Sequence, residues 1–90
     1  MSLFKNKKEV SRTDFKSALR RATLNNAKIG PRERETIERD VLSYSKYGSI
    51  IQLREINEAI RLLQRKFYQT GGNNEKRRIA EKIRVLKKLI

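Results

Sequence analysis

The stretch SIIQLREINEAIRLLQRKFYQTGGNNEKRRIAEKIRVLKKLI, Ser49 to Ile90, decides the fold. Leu53, Ile56, Ile60, Leu63 and Phe67 recur at spacings of 3, 4, 3 and 4, the seam of an amphipathic helix. Ile79, Ile83, Leu86 and Ile90 recur at 4, 3 and 4, a matching seam. Gly71 and Gly72 break the pattern between them, and Asn73 or Asn74 offers the next helix a cap. A break this short turns two such helices antiparallel, because only then can both seams be buried at once. The reading is therefore two helices, over 50–70 and 74–90, packed as a coiled-coil-like hairpin. The S-x-x-Q pattern of Ser49 and Gln52 reads as a capping box opening the first of them.

Upstream, the same period appears twice more. Phe15, Ala18, Leu19 and Ala22 share one helical face, with Ser11 or Thr13 as cap and Asn25–Asn26 as a stop, giving a helix over 12–24. Gly30–Pro31 is a helix start, since proline at the first position strands no amide proton. Ile37, Val41 and Tyr44 then mark a buried face over 31–45. No segment alternates as a strand does, and Ile50–Ile51 is the one β-like pair. The fold class expected is all-α: a small four-helix domain over 11–90, ending in an antiparallel helical hairpin. A flexible basic N-terminal arm over 1–10, carrying Lys5, Lys7 and Lys8, is expected to precede it. Ninety residues leave room for one domain.

Composition excludes most chemistry. Cysteine and histidine are both absent, which removes disulfides, thiolate metal sites, the commonest general base and the commonest metal ligand. No phosphate-binding glycine loop, dinucleotide fingerprint or nucleophile–base pair occurs, so no enzyme, cofactor or metal is expected. The carboxylates Glu33, Glu35, Glu38 and Asp40 suit the start of their own helix and pair with arginines four residues on, as Glu35 does with Arg39. A calcium loop with Gly48 at its sixth position would place Ser43, Ser45 and Tyr47 where acids belong and Arg54 at the twelfth, so that reading fails. A helix-turn-helix around Gly48 is a weak match, because Leu53 and Ile56 fall one residue early. Leu3 and Phe4 run straight into lysines, so no signal segment is read and a cytoplasmic location is expected.

What remains is charge. Lysine plus arginine number 23 against 10 acids, a net charge of +13. The excess is +6 over residues 1–31 and +5 over 71–90, around a balanced middle. Measured from Leu53, Arg61, Arg54 and Arg65 lie at about 80°, 100° and 120° around their helix, with Tyr68 at about 60°. Arg77, Arg84 and Lys88 repeat the arrangement opposite the Ile79 seam, and Lys16 and Arg20 share one side of the first helix, with Arg21 on the other. Arginine stripes of this kind suit phosphate, which a guanidinium grips with two hydrogen bonds. Arg21 aside, these nine residues are the expected contacts of a non-enzymatic protein that binds the backbone of DNA or RNA. A single aromatic among them favours duplex or structured RNA over a base-stacking platform.

The rival reading is an interaction or assembly module. Ile51 and Leu62 lie on the side of the third helix away from its seam. They are expected either to be buried by the first two helices or to form a patch for a homodimer or an acidic or helical protein partner. Attachment to an anionic membrane surface is disfavoured, since folding consumes the apolar seams and tryptophan is absent.

Overall fold

Ser11 caps the first helix, its hydroxyl accepting from the Asp14 amide at 3.0 Å. The computed structural model describes residues 3–43 and 48–90. In chain order these form β1 (Glu9–Ser11), α1 (Arg12–Ala22), α2 (Pro31–Leu42), β2 (Ile50–Gln52), α3 (Leu53–Gln69) and α4 (Asn73–Leu89). The chain is mostly helical, with the four expected helices. Its Cα radius of gyration, 12.6 Å, fits a compact domain of this length, for which about 12 Å is usual.

The all-α expectation needs one correction. Residues 50–52 are extended and pair antiparallel with β1, in the register Glu9 to Gln52, Val10 to Ile51 and Ser11 to Ile50. The ladder continues at both ends, where Arg12 N–H donates to the Ser49 carbonyl at 2.9 Å and Leu53 N–H to the Lys8 carbonyl at 2.8 Å. Two adjacent β-branched residues favour extension, and pairing satisfies backbone groups that burial would otherwise strand. So α3 starts at Leu53, capped by Gln52, whose N–H donates to Glu55 Oε2 at 3.3 Å. The capping box expected at Ser49 is thus displaced by the strand, and the strand also separates Gly48 from α3 where a helix-turn-helix would need a turn alone.

The segment read as a free basic arm is corrected too, in its described part. Phe4 and Val10 belong to the hydrophobic core, and Leu3 N–H donates to the Leu89 carbonyl at 2.8 Å. Apolar residues spaced among the lysines carry this segment onto the domain.

Helix ends differ by a few residues from expectation. α1 stops at Ala22, where Thr23 donates its hydroxyl to the Leu19 carbonyl at 2.9 Å, and Asn25 then takes a left-handed φ of 64° that reverses the chain. α2 opens at Gly30–Pro31 as read, with Gly30 N–H donating to Glu33 Oε2 at 3.1 Å. Tyr44 and the expected last turn over 44–45 lie outside the described residues. α4 opens at Gly72 without a side-chain cap, so neither Asn73 nor Asn74 serves as one.

The core gathers Phe15, Leu19, Ile37, Val41, Ile51, Ile56 and Leu86, all essentially inaccessible to solvent. α4 packs on α3 and on α1, so its buried face is wider than one seam. Val85 and Leu89 are buried beside Ile79 and Leu86, whereas Ile83 is half-buried and Ile90 is exposed.

Candidate nucleic-acid interface

The structure divides the nine expected contact residues among three places. On α3, burial of Glu55, Ile56, Ala59, Ile60 and Leu63 turns the opposite arc outward, and Arg54, Arg61, Arg65 and Tyr68 are all exposed along it. Arg54 Nε donates to Gln52 Oε1 at 2.7 Å, and Arg61 pairs with Glu58 at 2.7 Å. Arg65 has no ion pair or side-chain hydrogen bond among the described residues. Tyr68 is 81% exposed, its ring edge-on to Phe67 at 5.5 Å between centroids. Phe67 in turn lies 5.4 Å from Lys76 Nζ, a cation–π contact joining the end of α3 to the start of α4.

On α4, Arg77, Arg84 and Lys88 are exposed together with Lys87. The acid that interrupts them in sequence, Glu81, is turned inward and is only 8% exposed. It accepts from Asn26 Nδ2 at 2.8 Å and pairs with Arg84 at 3.5 Å. Helical rotation thus hides the carboxylate and leaves the cations in solvent. The Arg61–Glu58 pair lies at the surface, where such a pair is worth about 0–1 kcal/mol, whereas the carboxylate that Arg84 meets is buried.

Lys16 and Arg20 are not brought to this surface. They line a cleft between α1 and α2 together with Arg32, Arg34, Glu35 and Glu38. Glu38 pairs with Lys16 at 3.2 Å and with Arg12 at 3.7 Å, so the cleft is mixed in sign. Sequence reasoning gave no role to Arg21, yet the structure sets it on the α4 side of α1 next to Ala18, Ala22 and Lys88. The signal available was its place beside two alanines, which let another helix approach closely.

Of the two candidate partner residues, Ile51 is wholly buried, so the patch reading is corrected in favour of burial: β2 faces the core. Leu62 is half-buried and lies outside the core cluster. Among the described residues no cluster of three or more acids suited to a metal ion is found, and no helix is long and apolar enough to cross a membrane. No family model, curated protein or solved structure matches the chain.

Proposed function

We propose that this protein binds nucleic acid, DNA or RNA, through its phosphate backbone and without catalysis. The observation that carries the reading is the outward arc of α4, where Arg77, Arg84, Lys87 and Lys88 are exposed while Glu81 is withdrawn. In this reading α3 and α4 form an antiparallel hairpin, a geometry supported by their three-residue link and by the contact of Lys76 with Phe67. Arg54, Arg61, Arg65 and Tyr68 then extend the cationic exterior of the same pair. Grouped cations raise the local potential and steer a polyanion to the surface.

Fluorescence anisotropy with labelled 20-base-pair DNA and RNA duplexes at 50 mM salt tests it. Binding to at least one duplex is expected, and the freshly purified protein carries nucleic acid, read from the ratio of absorbance at 260 and 280 nm. Absence of binding to both duplexes overturns the reading.

A second reading, assembly through Leu62, rests on that side chain lying half-buried outside the core. Light scattering of Leu62→Glu discriminates: a dimer that becomes monomeric while still binding nucleic acid assigns Leu62 to self-association.

A further inference from the structure

α1 and α4 do not meet flush. Two depressions of about 780 and 360 Å³ lie along their junction and adjoin at Ala22 and Lys88, which line both. Lys5, Arg21 and Lys88 stand around the larger one, and Lys28, Arg84 and Lys88 around the smaller. The floor of the larger is small and apolar, formed by Ala18, Ala22 and Leu89. One acid, Glu81, reaches the smaller depression, and Arg84 and Asn26 already occupy it. The cationic groups of Arg21, Lys28 and Lys88 make no ion pair or hydrogen bond among the described residues.

We infer that the two depressions form one continuous cleft that seats the phosphate ridge of one strand of a duplex, with Arg21, Lys28 and Lys88 as its main ligands. The inference deepens the nucleic-acid reading above and depends on it. It adds Arg21 and Lys28, which come from α1 and the loop after it, to a site otherwise built on α4.

Three features favour this occupant. The cations stand on both walls, so a strand lying between them meets positive charge from two sides. Among the described residues, those lining the cleft include no aromatic side chain, a lining that suits a backbone whose bases point away. The wall is also fixed. Asn26 donates to Glu81 across the cleft and accepts from the Lys28 N–H at 2.9 Å, which anchors the loop carrying Lys28 against α4.

The test compares two double variants that remove the same net charge from exposed positions. Arg21→Gln with Lys28→Gln empties the cleft wall, whereas Lys16→Gln with Arg20→Gln alters the mixed cleft facing α2. The probe is whichever duplex the wild-type protein binds more tightly, titrated at 100 mM salt, with thermal melting to confirm that both variants fold. The cleft variant is expected to lose at least about tenfold in affinity and to flatten the log–log salt slope by about 2, near one unit per lost phosphate contact. The control is expected to stay within about twofold. Equal losses in both variants, or none in the cleft variant, overturn the cleft while leaving nucleic-acid binding intact. Failure of the wild-type protein to bind either duplex overturns both.

Discussion

At the scale of single residues, Glu81 shows how position outweighs charge. Removing an acid from a chain of net charge +13 would worsen self-repulsion, and here it also strips Asn26 and Arg84 of their partner. Glu81→Ala is expected to cost about 1–3 kcal/mol, the range for leaving a buried polar group unpaired, read as a lower urea midpoint at unchanged slope. Ile51 tests the correction made above. As a wholly buried residue its replacement by alanine is expected to cost about 2–5 kcal/mol, whereas a surface position would change stability by less than about 0.5 kcal/mol.

At the scale of elements, the helices were legible because their apolar spacings and stop signals agree. Leu53 to Phe67 and Ile79 to Leu86 each name a face, and Gly30–Pro31 names a start. Burial on two sides was not legible. A single seam predicted Ile83 and Ile90 as core in α4, while packing on α1 as well as α3 buries Val85 and Leu89 instead. The ribbon was half-legible, since Ile50–Ile51 stood out but its partner Val10 sits alone among polar neighbours, and strand pairing across some forty residues leaves no local mark. The cationic arcs of α3 and α4 could be drawn from helical angles alone, whereas the cleft needs to know which side of α1 meets α4. Docking of the N-terminal segment is checked by amide hydrogen exchange. Leu3, Arg12 and Leu53 donate to Leu89, Ser49 and Lys8, and are expected to exchange far more slowly than an open chain. Rapid exchange of Leu3 and Leu53 would restore the free arm. Phe4→Ala is expected to cost about 3 kcal/mol by urea denaturation for the same reason.

At the scale of the whole molecule, one charge imbalance bears on stability and on the proposed binding of nucleic acid alike. Like charges on a domain of this size repel, so the melting temperature is expected to rise between 10 and 200 mM salt as that repulsion is screened. Affinity for a polyanion moves the opposite way, because binding releases counterions from the phosphates and added salt opposes their release. With about six phosphates neutralised, log affinity for a duplex should fall against log salt with a slope of about −5. The most direct measurement is therefore anisotropy of a labelled 20-base-pair duplex titrated with the protein from 50 to 200 mM salt. The account predicts a loss of affinity of about a thousandfold across that range. An affinity that does not change with salt, or no binding at 50 mM, would contradict it.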